Sequence, residues 1–384
     1  MANGFCPSLL SHIGAVIGAN EKNKQLFPAG FLRKLLNTYD STNVLNGQQF
    51  EGGHIRDLKL KYKNRPLASA VRDSAPDCDF YNTPAYNEYT IPSLDVKSTG
   101  FFLPDSLIRQ YCKDASDNIK LDKQANTYIL ERETHVMREV YDNLLDYLNI
   151  LFTEVNKALV TDMSTKFGDN VLTGNNTAVS YDFDIRSTAI NDGIIKLFSD
   201  LRENEIFSDI DIVGSGDFMN LDLIRSVLNG QADNTVNTSD LMRMLPNLYY
   251  DKHAKSIWGD NYIGVFAKDS VHLMARNLYT MGFERRLGNS SFFAIPVPVA
   301  DMQMPMGNEE KMVVDLQVKE YDCATTVNNG YETITVGPGV QISLQYNFKL
   351  FVTPDIFDAA DPLAGTNGTL LYEMNGIGPC PCPE

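Results

Sequence analysis

The longest regular pattern of apolar positions lies between residues 121 and 160, a stretch without proline or glycine. Its apolar residues recur at helical spacing and form one stripe: Met137, Val140, Tyr141, Leu144, Leu148, Leu151, Phe152, Val155 and Leu159. The pattern predicts one amphipathic helix of roughly forty residues, about 60 Å long. A rod of this length does not fit inside one small core, so we expect an elongated subunit that lies against something else.

A second pattern has a period of two, runs from residue 56 to 65, and is typical of a β-strand. It places three apolar residues on one face and three lysines on the other: Leu58, Leu60 and Tyr62 against Lys59, Lys61 and Lys63. Another extended run follows at 87–96, and together the two runs predict a long β-hairpin. Because an isolated hairpin is only marginally stable in water, we expect another subunit to support it.

The remaining patterns divide the chain into further parts. Residues 1–47 are expected to form an arm with short helical pieces such as Gly30–Leu36. After the long helix we predict an α/β alternation, with strands at 179–185, 209–213, 262–266 and 291–297 and helices at 189–202, 217–228 and 270–278. The last part is predicted to be mostly β, with strands at 312–321, 332–336 and 340–352.

Composition indicates a packed globular protein. The 384 residues are 43% hydrophobic and 21% charged, enough for two or three domains or one elaborate domain. A formal net charge of −16 argues against nucleic-acid binding over the whole surface, because phosphate contacts need Lys and Arg. Six scattered cysteines do not form the dense framework of a small secreted domain. Without a signal peptide or a long apolar run, we expect a soluble protein that is intracellular at synthesis.

Two groups of residues are candidates for metal binding. Glu131, His135 and Glu139 would share one face of the predicted helix. That face lies opposite the apolar stripe, so a solvated polar ridge is the favoured interpretation. Cys380 and Cys382 supply two soft ligands but no second pair, whereas a structural zinc site uses four.

No catalytic or cofactor-binding motif is present. Gly214-Ser215-Gly216 lacks the further glycine and the Lys-Ser/Thr of a phosphate loop, and Asp217 is better interpreted as a helix N-cap. Five histidines are spread widely along the chain. The sequence therefore predicts no enzyme activity and assigns no catalytic, cofactor-binding or metal-binding residue.

Basic residues are concentrated in the predicted hairpin. Residues 51–73 carry a local charge of +3 within a chain of −16. The basic side chains are candidates for contact between subunits: Arg56, Lys59, Lys61, Lys63, Arg65 and Arg72. They form either a solvated strand face or a surface complementary to an acidic neighbour of the same kind.

The order of these pieces resembles the major capsid proteins of tailed bacteriophages, which have the Hong Kong 97-type fold. Three segments are similar in style to parts of that fold: 211–219 (DIVGSGDFM), 262–271 (YIGVFAKDSV) and 344–354 (LQYNFKLFVTP). The resemblance implies an α+β chain with a fixed set of parts. These are an N-terminal arm (1–47), an extended β-loop (48–100), a peripheral domain (101–188) with a spine helix at about 121–160, an α/β axial domain (189–300), and returning strands with a C-terminal tail (301–384).

The resemblance also implies a function, which is self-assembly into the icosahedral shell of a tailed double-stranded DNA bacteriophage. The chain would form hexamers and pentamers, with the extended loop over a neighbour, and would reside in the virion after assembly in the host cytoplasm. Scaffolding, portal and decoration proteins are the further candidate partners. Packaged DNA would be enclosed without sequence-specific binding, and neither a cofactor nor a membrane is involved.

Three alternatives remain open at this stage. An encapsulin-like nanocompartment shares the fold but packages an enzyme cargo. A soluble α/β enzyme or binding protein would use residues 189–300 as its pocket and form a compact monomer or dimer. A tail-tube or sheath protein would assemble into rings or filaments.

Overall fold

A computed structural model describes residues 30–36, 58–63, 86–91, 94–122, 127–167, 179–181, 210–214, 247–259, 262–267, 270–275, 277–279, 285–299, 310–321, 325–328, 333–352 and 368–374. The helices in these residues are α1 (Gly30–Leu36), α2 (Asp105–Asn118), α3 (His135–Ser164) and α4 (Lys252–Ile257). The strands are β1 (Leu58–Lys63), β2 (Tyr86–Ile91), β3 (Asp95–Pro104), β4 (Ile119–Asp122), β5 (Thr127–Leu130), β6 (Val179–Tyr181), β7 (Ile210–Gly214), β8 (Asn247–Tyr250), β9 (Tyr262–Ala267), β10 (Val271–Ala275), β11 (Arg285–Leu287), β12 (Ser290–Val299), β13 (Glu310–Tyr321), β14 (Thr325–Asn328), β15 (Thr333–Val336), β16 (Gly339–Val352) and β17 (Thr369–Met374).

The largest sheet has six strands and is built around β16. Its order is β10, β16, β13, β12 and β11, and β3 also pairs with β16. All of these pairings are antiparallel. Along β16 the residues Ile342, Leu344 and Tyr346 are buried, while Gln341 and Ser343 between them stay partly exposed. The sheet therefore has one apolar face and one polar face.

Helix α3 covers the apolar face of this sheet and packs against β3 and β16. The ring of Phe152 meets that of Tyr346 with centroids 6.3 Å apart, and Phe101 stacks on Tyr147 at 5.0 Å. All nine residues of the predicted apolar stripe are buried, which confirms the stripe. Because each such side chain contributes about 1.5–3 kcal/mol when fully buried, this contact is a principal source of stability.

The predicted start of this helix is wrong. Helix α3 begins at His135, where the hydroxyl of Thr134 caps it by accepting a hydrogen bond from the Met137 N–H (3.3 Å). The preceding residues form the antiparallel hairpin of β4 and β5. The helix was predicted because this stretch lacks proline and glycine. Its β-branched and aromatic residues, Thr127, Tyr128 and Ile129, favour a strand, and that preference was overlooked. The helix thus has 30 residues, about 45 Å, instead of roughly forty.

The predicted short helix at Gly30–Leu36 is confirmed, and it lies in the core. Phe31, Leu32 and Leu35 are almost fully buried against α3, β7, β8 and β10. A methyl group on Gly30 would lie 2.1 Å from the Tyr250 carbonyl oxygen, so only glycine permits this close backbone approach. Whether residues 1–47 as a whole form an arm stays a prediction, because the rest of that segment lies outside the described residues.

A second sheet has five strands in the order β6, β17, β9, β7 and β8. It is mixed, since β17 is parallel to β6 and β7 is parallel to β8. The predicted strands at 209–213 and 262–266 are confirmed within one residue as β7 and β9, and both are largely buried. The predicted helices at 189–202 and 217–228 lie outside the described residues.

The predicted helix at 270–278 is wrong, because residues 271–275 form strand β10. Val271, Leu273 and Ala275 are buried, and the strand pairs with β16 along its whole length. Pairing with a strand some eighty residues further along the chain decides the conformation here, which local propensity did not reveal. The strands predicted at 291–297, 312–321, 332–336 and 340–352 are confirmed as β12, β13, β15 and β16. Long helices beside mostly antiparallel sheets confirm the α+β class.

Candidate functional site

The predicted hairpin is confirmed as the antiparallel pair β1 and β2, but its second strand ends at Ile91. Residues 95–96 of the predicted run at 87–96 belong instead to β3, which pairs with β16. The register of the hairpin sets Leu58 opposite Ile91 and Leu60 opposite Tyr89, which places these four residues on one face. In the described part of the chain, β1 and β2 pair with each other and with no third strand. The hairpin is therefore a two-stranded ribbon with one mainly apolar face.

The lysines occupy the other face of this ribbon. Lys59 is opposite Thr90, Lys61 is opposite Glu88, and Lys63 is opposite Tyr86. The remaining basic candidates, Arg56, Arg65 and Arg72, lie outside the described residues. The structure thus places three of the six candidates together on one strand face.

The helical metal site is not formed. Glu131 precedes the N-cap of α3, so it does not share a helix face with His135 and Glu139. Within the described residues, no group of three or more His, Cys, Asp or Glu side chains could hold a metal ion. Cys380 and Cys382 lie outside those residues, as do Ser215, Gly216 and Asp217. Gly214 is the last residue of β7.

The outward face of α3 is the predicted polar ridge. Glu139 and Asp146 are exposed, and the exposed Arg138 lies 4.0 Å from Asp142 on the next turn. Tyr141 lies next to Asp142, and its pKa is raised to about 12, mainly by burial and also by the negative charges of Asp142 and Glu133. No helix in the described part of the chain combines the length and apolarity needed to cross a membrane.

An open cleft of about 580 Å³ lies between the C-terminal half of α3 and the strands β3 and β16. Its charged lining consists of three lysines and three acids: Lys97, Lys157, Lys349, Asp95, Glu154 and Asp162. The ammonium group of Lys349 lies 3.1 Å from the carboxylate of Asp95. Because the charges balance, the cleft attracts neither anions nor cations strongly. It also lies outside residues 189–300, where the enzyme alternative placed a pocket.

Asp251 joins three helices at one buried point. One carboxylate oxygen accepts hydrogen bonds from the Phe31 N–H (2.9 Å) and the Asn156 side-chain amide (2.8 Å). The other oxygen caps α4 by accepting from the N–H groups of His253 (2.7 Å) and Ala254 (3.3 Å). Asn156 on α3 in turn accepts from the N–H of Leu32 (2.8 Å). Asp251 therefore fixes α1 to both α3 and α4.

Asp315 on β13 is a second buried carboxylate that fixes a backbone segment. It accepts hydrogen bonds from the consecutive N–H groups of Leu278 (2.7 Å) and Tyr279 (3.1 Å), and from the Asn347 side chain (3.0 Å). Burial raises the pKa of Asp315 to about 6, although these three hydrogen bonds act in the opposite direction. Sequence reasoning missed both carboxylates. For Asp251 the sequence did contain one signal: an aspartate that directly follows the aromatic run ending at Tyr250 could have been predicted to cap a helix.

No protein-family model matches the sequence, and no curated protein matches it. Among solved structures, the chain is similar to one from Mycobacterium phage Adephagia, at 11% identity and a TM-score of 0.42, over 88% of this chain and 90% of that one. It is similar to the capsid asymmetric unit of cyanophage A-1(L), at 11% identity and a TM-score of 0.45, over 91% and 94%. A virus-like particle from Pyrococcus furiosus is similar at 8% identity and a TM-score of 0.35, over 89% and 96%.

Proposed function

We propose that this chain is the major capsid protein of a tailed double-stranded DNA bacteriophage, a structural protein that assembles into a closed icosahedral shell. The observation that carries the proposal is the β1–β2 ribbon. Its strands pair with no other described strand, and one face carries Leu58, Leu60, Tyr89 and Ile91. A two-stranded ribbon is marginal in water, so an apolar face of this kind is best explained by a neighbouring subunit that covers it.

The rest of the described structure suits a shell wall. Helix α3, about 45 Å long, lies along one face of a six-stranded sheet, which makes a layer one helix and one sheet thick. Identical copies of such a plate close into a container when each copy presents the same complementary surfaces. The partners that we propose are therefore further copies of the chain, arranged as hexamers and pentamers. The same proposal includes scaffolding, portal and decoration proteins as further partners, and DNA as the packaged content. It also places assembly in the host cytoplasm and the assembled protein in the virion.

The first experiment is to express the full chain, with and without a candidate scaffolding protein. The products are separated by sedimentation and imaged by negative-stain electron microscopy. We expect closed shells or rings of subunits. Shells that contain a cargo enzyme and no DNA would favour the nanocompartment. A discrete monomer under every condition would overturn the shell proposal and favour a soluble enzyme or binding protein.

The role of the ribbon is tested with the variant Lys59→Glu, Lys61→Glu, Lys63→Glu. If these lysines meet an acidic surface of a neighbour, reversing their charge should abolish most assembly while circular dichroism stays unchanged. The matched control is Lys113→Glu, Lys157→Glu, Lys252→Glu, which makes the same charge change at exposed positions on the helices. Normal particles from the ribbon variant would contradict the charge complementarity. A second variant, Leu60→Ser with Tyr89→Ser, tests whether the apolar face makes the contact instead.

A further inference from the structure

Residues 277–279, which we call the strap, lie on the polar face of the six-stranded sheet. In the sequence they stand between β10 and β11, which are at opposite ends of the strand order, with β16, β13 and β12 between them. The ring of Tyr279 packs against Phe292 on β12 with centroids 5.1 Å apart, and the side-chain amide of Asn277 donates to the Tyr279 carbonyl (2.8 Å). The strap is thus held at the middle of the sheet.

Asp315 is the polar anchor of the strap, and it is almost completely shielded from water, with 1% of its surface exposed. Its donors are two backbone N–H groups of the strap and the amide of Asn347, all of them uncharged. Asn347 is itself fixed, because its side-chain oxygen accepts from Gln345 (2.8 Å). In the part of the chain that the structure describes, no lysine or arginine forms an ion pair with Asp315.

The groups that surround Asp315 do not supply a compensating charge. The nearest residues on its own face of the sheet come from three strands and are uncharged: Val313, Gln317, Gln345, Asn347 and Ala294. The strap contributes one titratable group, the phenol of Tyr279, whose pKa is raised by burial and by the charge of Asp315 and lowered by Arg285. Arg285 itself is exposed at the start of β11. An ionised Asp315 under a closed strap is therefore a buried charge with no counter-ion among the residues that the structure describes.

We propose that Asp315 is a proton-linked clamp, which holds the strap more firmly on the sheet when its carboxyl group is neutral than when it is ionised. Opening of the strap returns the carboxylate to water, so ionisation favours the open strap. Three neutral hydrogen bonds offset part of this cost, which is why the strap still closes on the ionised form. Burial raises the pKa of Asp315 to about 6, and this pKa sets the pH range over which the strap responds.

The sign follows from proton linkage. Between about pH 4 and pH 6 the closed strap binds the proton and the open strap does not, so acid favours closure. With a pKa of about 6 in the closed form and an ordinary value in the open form, the closed form gains about tenfold in equilibrium constant between pH 7.5 and pH 5.

The test is hydrogen–deuterium exchange of the full chain, measured by mass spectrometry on a peptide that contains residues 277–279. After correction for the intrinsic exchange rate, the protection of the strap amides should be about tenfold greater at pH 5 than at pH 7.5. A peptide from β9 in the other sheet reports any general change in stability. Strap protection that is independent of pH, or that rises with pH relative to β9, would overturn the proposal.

Two variants make the assignment specific. Asp315→Asn cannot titrate, so the pH dependence of strap protection should disappear, whereas Asp95→Asn removes a half-exposed acid of the same sheet and should leave it unchanged. Asn347→Ala removes one hydrogen bond that stabilises the ionised carboxyl, so the midpoint of the response should move to higher pH. A midpoint that stays in place in Asn347→Ala, or a tenfold response that persists in Asp315→Asn, would show that another group controls the strap.

Discussion

The substitution Asp251→Asn tests whether one carboxylate connects three helices at once. Asparagine is normally as good an N-cap as aspartate, so an ordinary cap would tolerate this change. Here both oxygens are fully committed, because each accepts two of the four hydrogen bonds and the side chain has no exposed surface. An amide keeps one acceptor oxygen and turns an NH₂ group toward donors. If the amide oxygen caps α4, the buried Phe31 N–H and the buried Asn156 amide both lose their acceptor, and the opposite orientation removes the acceptor from the N–H groups of His253 and Ala254.

The expected cost follows from those two donors. A buried polar group left without a partner costs about 1–3 kcal/mol, so the loss of two acceptors in Asp251→Asn should destabilise the folded subunit by about 2–6 kcal/mol. Asp105→Asn is the matched control, because it makes the same chemical change at the half-exposed start of α2, where Asp105 pairs with the exposed Arg109. We expect at most about 0.5 kcal/mol from that control.

The measurement is urea unfolding of the unassembled subunit, followed by far-ultraviolet circular dichroism and by tryptophan fluorescence. Trp258 is the single tryptophan, and it ends α4, donates to the Val160 carbonyl (3.0 Å) and packs against Phe31 (6.1 Å). Its emission therefore reports directly on the region that Asp251 organises. An Asp251→Asn subunit within about 0.5 kcal/mol of the wild type would refute the double-acceptor argument.

Two further predictions concern the core. Lys34→Met removes a buried ammonium group that lies 3.8 Å from Asp211 and 4.9 Å from the centre of the Phe266 ring, and breaking this buried ion pair should cost about 3–5 kcal/mol. Lys34→Met with Asp211→Leu should recover most of this loss in the same urea assay. Equal losses in the single and double variants would contradict the pairing. On α3, Leu148 is buried, so Leu148→Ala should lower the free energy of unfolding by about 2–5 kcal/mol. Ile150 is half-exposed, so Ile150→Ala should change thermal stability little. Similar effects of the two substitutions would contradict the packing of the Leu148 face of α3 against the sheet.

The elements that the sequence predicted correctly are those whose pattern is long. Apolar and polar residues alternate along β16 from Val340 to Leu350, and the apolar stripe of α3 persists over about six turns. The local period was therefore sufficient to predict both elements. Where a segment was short, strand pairing decided the outcome and not the local pattern of apolar residues. Val271–Ala275 became a strand because β16 was available, and 119–130 became a hairpin because its halves pair with each other.

The candidate site was predictable only in part, for a similar reason. The alternation in residues 56–65 was enough to predict the ribbon and to separate its lysines from its leucines. Asp251 and Asp315 could not be found in this way. Asp251 caps α4 through donors close in the sequence, but the donor that it binds on α1 lies 220 residues away, and Asp315 binds a donor 36 residues away. These longer-range roles exist only after the fold has brought the donors together.

The position of β16 has a consequence for synthesis of the chain on the ribosome. Its partner β3 ends at residue 104, but β16 begins only at residue 339. At about 5–20 residues per second, the interval between the two is on the order of 10–50 s. During that time Phe101 and Leu103 cannot reach the strand that buries them. Strand β3 therefore stays without its partner while residues 105–338 are made, which is more than half of the chain.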